Sequence, residues 1–220
     1  TSNGVTSTIN AGYVIGNNYV GGIIGKNDGI SAGDKSSIKN CINNGVAAGY
    51  EKYIGGIVGY NGEFGVIEDC ASYIADYDDS IFDMIVEQWN ATGDFTGGVV
   101  GYNAGEVKFS NENQGTTIQS VSSIVVGDSY VGGVIGFNDV TGSFKAEDIL
   151  IGGRVYAYGN AAGGCIGANT SVALLEEALS ITSESVRGRY YVGGYIGEST
   201  RSEIEYAKAH GKKIEYLEEI

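Results

Sequence analysis

The sequence has no proline, one histidine, one methionine, one tryptophan and three cysteines in 220 residues. The cysteines, at 41, 70 and 165, are too few for a disulfide framework, and none forms the Cys-x-x-Cys pair that a zinc site uses. The lone His210 has no partner histidine, and the His-Glu-x-x-His signature is missing, which excludes a zinc peptidase. Basic residues are scarce as well. Thirteen Lys and Arg against 27 Asp and Glu leave a net charge of −14, which repels phosphate backbones and anionic headgroups, so nucleic acid is not an expected partner. No apolar run reaches membrane-span length, so no membrane insertion is expected within this segment. Residues 1–4 lack the charged and apolar regions of a signal peptide, and the chain reads as mature or excised.

In place of proline there are 37 glycines, with 16 tyrosines among many Val, Ile, Ser, Thr and Asn, a mixture that favours short strands joined by tight turns. With 42% hydrophobic and 18% charged residues, the chain is too apolar to be disordered despite its glycine.

One segment recurs. It appears as Tyr19-Val-Gly-Gly-Ile-Ile-Gly-Lys-Asn27, Tyr53-Ile-Gly-Gly-Ile-Val-Gly-Tyr-Asn61, Phe95-Thr-Gly-Gly-Val-Val-Gly-Tyr-Asn103 and Tyr130-Val-Gly-Gly-Val-Ile-Gly-Phe-Asn138. Two degenerate copies end at Asn169 and Ser199. The glycine pairs are Gly21 and Gly22, Gly55 and Gly56, Gly97 and Gly98, Gly132 and Gly133, Gly163 and Gly164, and Gly193 and Gly194; their successive spacings are 34, 42, 35, 31 and 30 residues. A fainter motif follows most copies, an apolar residue and then a small one three positions on, as in Ile38 and Cys41 or Ile67 and Cys70; the copy near Phe144 breaks it.

A unit of this size with three short strands matches one coil of a parallel β-helix, in which each coil buries its apolar residues only against its neighbours. The expected fold is all-β, a right-handed parallel β-helix (β-solenoid) of about six coils with three short strands per coil, one domain over 1–220 with an insertion at about 73–92. Residues 214–220 stop where another glycine pair is due, so the chain reads as a fragment of a longer one. Identical residues then fall into ladders. The glycine pairs permit close backbone approach or positive φ, and Asn27, Asn61, Asn103, Asn138 and Asn169 tolerate a left-handed turn or bond to one another. Which faces point inward stays ambiguous, because both faces of the glycine-pair segment are apolar or glycine. Cys41 and Cys70 occupy one slot in consecutive units and read as small, reduced core fillers.

The Tyr-Val-Gly-Gly-Ile-Ile-Gly-Lys-Asn segment followed by an Ile-Lys-Asn-Cys strand resembles the GLUG repeat of bacterial surface proteins, across essentially the whole chain. Such repeats occur in non-catalytic regions of some immunoglobulin A protease precursors and in large adhesin-like proteins. The resemblance implies a secreted or cell-surface β-helical stalk, or a segment presented to a host or cell-surface glycan or protein, and it supplies no catalytic residues. Degenerate fifth and sixth copies and the insertion depart from the pattern.

Function-bearing candidates concentrate in the insertion. Tyr73, Tyr77, Phe82 and Trp89 could bind a ligand, since solenoids place insertions on binding faces and aromatic faces stack on sugars. The favoured alternative packs Ile81, Phe82, Ile85 and Trp89 as a short amphipathic helix on the solenoid side. Asp76, Asp78, Asp79 and Asp83 are calcium candidates without an EF-hand pattern, and a solvated acidic loop is favoured over them. No other cofactor is expected. The column Tyr19, Tyr53, Phe95, Tyr130 and Tyr191 reads as a structural ladder ahead of a carbohydrate stripe. An enzyme is not expected; the alternative, a polysaccharide-binding or polysaccharide-degrading β-helix, requires clustered carboxylates near the insertion.

Overall fold

The computed structural model describes residues 4–73, 80, 83–88, 90, 92–110, 119–146, 149–171, 180–181 and 185–193. The first coil runs through strands Gly4–Thr6, Ile9–Asn10, Tyr13–Gly21 and Ile24–Asn27. The second repeats the path as Ser36–Lys39, Ile42–Asn43, Val46–Gly55 and Val58–Asn61, and each strand pairs in parallel with its counterpart, for example Val5 with Ile38 and Asn27 with Asn61. The chain is thus an all-β solenoid of about five turns. A sixth turn begins with Ser180–Ile181 and Ser185–Arg187 on Ile149–Ala157 and continues with Tyr191–Gly193 on Ala161–Gly163.

Each complete coil has four strands rather than three, for two different reasons. In the first three coils a two-residue strand, such as Ile42–Asn43, turns a corner after a left-handed residue or bend. In the fourth and fifth the long strand is split instead, into Gln119–Gly127 with Val131–Gly132 and Ile149–Ala157 with Ala161–Gly163.

The ambiguity of facing is settled by a bend at each of the first five glycine pairs. Ile57 lies on the bend and Val58 opens the next strand, so consecutive apolar residues both enter the core, as Val99 with Val100 and Val134 with Ile135 do. Ile38, Ile67, Val107 and Phe144 stack in register behind them. The fifth coil therefore keeps the sheet that the motif near Phe144 seemed to break. Phe144 fills the slot of a smaller residue, and Ala146 beside Phe109 compensates in the next.

Close approach, and not positive φ, explains the glycine pairs. A Cβ on Gly55 would lie 1.9 Å from the Val58 carbonyl oxygen, and one on Gly56 would lie 2.0 Å from that of Gly98 in the next coil. The left-handed conformation falls elsewhere, on Tyr19, Tyr53, Phe95 and Tyr130, with φ between 54° and 63°. The ladder asparagines are not left-handed either. For bulky residues this conformation costs about 1–3 kcal/mol each, so packing must hold it in place.

The insertion replaces part of a strand. Residues 46–48 pair with the first coil, yet the third coil rejoins this sheet only at Thr92 opposite Gly49. A short π-helix, Met84–Gln88, occupies the gap, and Ile85 packs between Val46 and Ala48 of the second coil and Ile124 and Val126 of the fourth. A cavity of about 30 Å³ remains beside Ile85, lined also by Ile54, Ser72, Thr96 and Ile124. Ile85 thus supports the packed reading of the insertion; Ile81, Phe82 and Trp89 lie outside the described residues. Among the described residues no helix is long and apolar enough to cross a membrane.

Candidate functional site

The in-register stack places two ladders on either side of the strands that end in asparagine. Inside, Asn27 Nδ2 donates to Asn61 Oδ1 at 2.8 Å, Asn61 to Asn103 at 2.9 Å, Asn103 to Asn138 at 2.7 Å and Asn138 to Asn169 at 2.8 Å. The nitrogens of Asn27, Asn61, Asn103 and Asn169 also face a backbone carbonyl, such as Gly65 for Asn61 and Gly105 for Asn103, which fixes the direction of the amide. The ladder therefore runs one way, donors toward the later coil. A shorter one joins Asn10 Nδ2 to Asn43 Oδ1 at 2.8 Å and Asn43 toward Ser72.

Outside, the residue before each ladder asparagine points to solvent and makes an aromatic column. Tyr60 and Tyr102 stack at 5.2 Å, and Tyr102 and Phe137 at 5.3 Å. The left-handed residues form a second column, Tyr19 to Tyr53 at 5.0 Å, Tyr53 to Phe95 at 5.5 Å and Phe95 to Tyr130 at 5.2 Å. Between columns the rings meet edge to face at 5.4–6.0 Å and 72–86°. This is the contact that holds the strained backbone, since edge-to-face and offset pairs are the favoured arrangements of aromatic quadrupoles. The Lys26 ammonium sits 5.4 Å over Tyr60 and 3.3 Å from Asp28, closing the first end. Both columns stop in the fifth coil, where Ala161 and Ala168 take the ring positions. Tyr191 lies a coil beyond, so the ladder read from sequence is continuous only from Tyr19 to Tyr130.

With their faces covered by neighbours, the rings offer solvent mainly edges and hydroxyls. Burial raises the pKa of Tyr60 and of Tyr102, and Asp139, hydrogen-bonded to Tyr102, raises the latter further, so both remain protonated donors at neutral pH. Such a surface suits hydrogen bonding along its length more than flat stacking of a ring upon it.

The insertion candidates divide. Tyr73 is half-buried and its backbone N–H donates to the Asn43 carbonyl at 3.0 Å, which makes it part of the corner. Tyr77, Phe82, Trp89, Asp76, Asp78 and Asp79 lie outside the described residues. Asp83 is exposed, and among the described residues no three His, Cys, Asp or Glu side chains gather around a common point. Cys41 and Cys70 are buried, free thiols in consecutive coils; contact with Cys41 and then burial push Cys70 up.

Two carboxylates outside these ladders are shifted from their ordinary titration, in opposite directions. Glu68 forms ion pairs with Lys39 and with Lys108, at 3.2 Å for the latter, and these cations outweigh the effect of burial and hold its carboxyl below the ordinary value. Asp94 is raised by burial first and by Asp128 next, against a hydrogen bond from Ser129 N at 3.1 Å.

The second aromatic column was legible in principle, since Lys26, Tyr60, Tyr102 and Phe137 share the eighth position of the repeat. Its signal was masked by the stronger glycine and asparagine positions flanking it. Residues 50–72, which run from the long strand of the second coil through the first two strands of the third, match the GLUG motif. The equivalent strands of the other coils stack on these in register. No curated protein and no solved structure matches the chain.

Proposed function

We propose that the chain is a non-enzymatic segment of an extracellular or cell-surface protein, a stiff spacer whose outer aromatic face is presented to a glycan or protein. The observation that carries this reading is that each coil is completed by the next: backbone, amide ladder, ring columns and core all find their partners along the axis. Such a unit extends by repetition and keeps its sides free, which is what a stalk requires. The ridge of ring edges, tyrosine hydroxyls and Asp139 is the part of the side best equipped to hydrogen-bond a partner.

The competing reading, a polysaccharide-degrading β-helix, has one point in its favour, the neighbouring carboxylates Asp94 and Asp128 with Asp94 raised. One experiment separates them. The purified chain is screened on a glycan array with and without calcium, beside Tyr102→Ala and Asp94→Asn, and polysaccharide digests are assayed for new reducing ends. Saturable binding lost in Tyr102→Ala supports presentation by the aromatic face. Absence of binding leaves the spacer alone, and cleavage abolished by Asp94→Asn refutes the proposal.

A further inference from the structure

The aromatic ridge repeats a two-ring unit at a nearly fixed step. Tyr53 with Tyr60, Phe95 with Tyr102 and Tyr130 with Phe137 each form an edge-to-face pair within one coil, at 5.5–5.8 Å and 76–86°. From coil to coil the step is 5.0–5.5 Å along the column of left-handed residues and 5.2–5.3 Å along the other. A linear ligand that meets every coil in the same way has to advance by this step, so the step selects among extended polymers.

An extended polypeptide does not keep pace. Its residues advance about 3.3 Å, so side chains on one edge recur at about 6.6 Å and lose the rows within a few coils. Stacked nucleotides advance about 3.4 Å, and a net charge of −14 repels their phosphates. Pyranose rings joined through equatorial 1 and 4 positions do keep pace, because each ring adds its full length to a nearly straight ribbon, and the advance per sugar falls within the range of these ring steps. Axial links coil a glycan and 1,3 links bend it, so neither stays in register. The charge on the ridge narrows the class further. Lys26 is paired with Asp28, and Asp139 accepts from the Tyr102 hydroxyl, which leaves a carboxylate surplus that repels uronic and sulfated chains.

We propose that the ridge binds a neutral, extended β-1,4-linked polysaccharide lying along the solenoid axis, one sugar to each coil. The inference rests on the reading of the ridge as a presented surface and names its partner by class. The hydroxyls of Tyr60 and Tyr102 and the Asp139 carboxylate bond sugar hydroxyls, while ring edges pack against the sugar C–H groups. Contacts repeated at every row add along one ligand, so affinity grows with chain length. The ridge steps down in the fifth coil, where half-buried Ala168 stands opposite Phe137. A ring at that position adds a row.

Isothermal titration calorimetry on the full chain tests it, with cellohexaose, mannohexaose and N-acetylated chitohexaose against maltohexaose and laminarihexaose. At least one β-1,4 hexamer is expected to bind about tenfold or more tighter than both contrasts, and about tenfold or more tighter than its own disaccharide. Tyr60→Phe with Tyr102→Phe keeps both ring columns and removes two hydroxyls; it should weaken that hexamer about fivefold or more with an unchanged circular dichroism spectrum. Tyr13→Phe, six residues before Tyr19 on the same strand, should leave binding as it was. Ala168→Tyr should tighten the hexamer severalfold and leave the disaccharide unaffected. Hexamers of every linkage bound alike, or a hexamer indifferent to Ala168→Tyr, overturn the fit of one sugar per coil while the presented ridge stands. No binding by any hexamer overturns the proposal and leaves the spacer alone. Binding untouched by the double variant puts the glycan elsewhere and removes the reading of the ridge as well.

Discussion

Asn103 accepts from Asn61 at 2.9 Å and donates to Asn138 at 2.7 Å, so one fully buried amide ties three coils together. Asn103→Ala takes the ladder partner from the Asn61 amide nitrogen, which keeps the Gly65 carbonyl, and from the Asn138 amide oxygen. Each lost partner costs about 1–3 kcal/mol, so chemical denaturation should show a loss of roughly 2–5 kcal/mol. Asn169→Ala, at the partly exposed end of the ladder, should lose less than half of that.

Gly56→Ala places a Cβ 2.0 Å from the Gly98 carbonyl oxygen, a backbone atom held in the next coil. Destabilisation of about 3 kcal/mol or more is expected. Gly33→Ala meets nothing within 4 Å and should change the melting temperature little or raise it slightly. Equal effects for the two would count against the close-approach account.

Phe95 has φ of 54° and stacks on Tyr130 at 5.2 Å. Both Phe95→Ala and Phe95→Gly lose the ring, but only alanine keeps the left-handed penalty. Glycine is expected to be the milder substitution by about 1 kcal/mol, reversing the usual order inside a strand.

Asp94 and Glu68 should move stability in opposite senses with pH. Asp94 titrates above its unfolded value, so its ionised form costs folded stability; the cost is absent below the unfolded pKa and complete once pH passes the folded one. Asp94→Asn should therefore stabilise at neutral pH and make no difference in acid. Glu68 titrates below its unfolded value, and its contribution, present above that value, is lost as pH falls through the folded one. Both partners are partly exposed, so Glu68→Gln should cost about 1 kcal/mol or less at neutral pH, with the deficit shrinking in high salt.

Ile85→Ala removes the side chain that closes the gap in the third coil. A loss of about 2–4 kcal/mol is expected, and hydrogen exchange should quicken at the amides of 46–48 and 124–126 before elsewhere.

The repeat, its parallel stacking and the asparagine ladder were legible because identical residues at nearly constant spacing have one economical arrangement. What stayed hidden was set by geometry between residues that the repeat treats as equivalent. The left-handed site belongs to tyrosine and phenylalanine, against every propensity, because the second ring column holds them; no single-sequence rule reaches that inversion. The insertion was conspicuous at Trp89, yet its described anchor is Ile85, an ordinary isoleucine whose importance follows from a strand missing two coils apart.

That missing stretch of strand gives the rod an uneven grain. Under tension along the axis, the coil junctions bear the load in series, and the chain is only as strong as its poorest joint. Every junction shares the pull among several backbone ladders, but between the second and third coils residues 46–48 contribute none to it and meet instead the flank of a single turn of helix. Stretching should open the molecule there first, leaving two shorter stacks, each still internally complete.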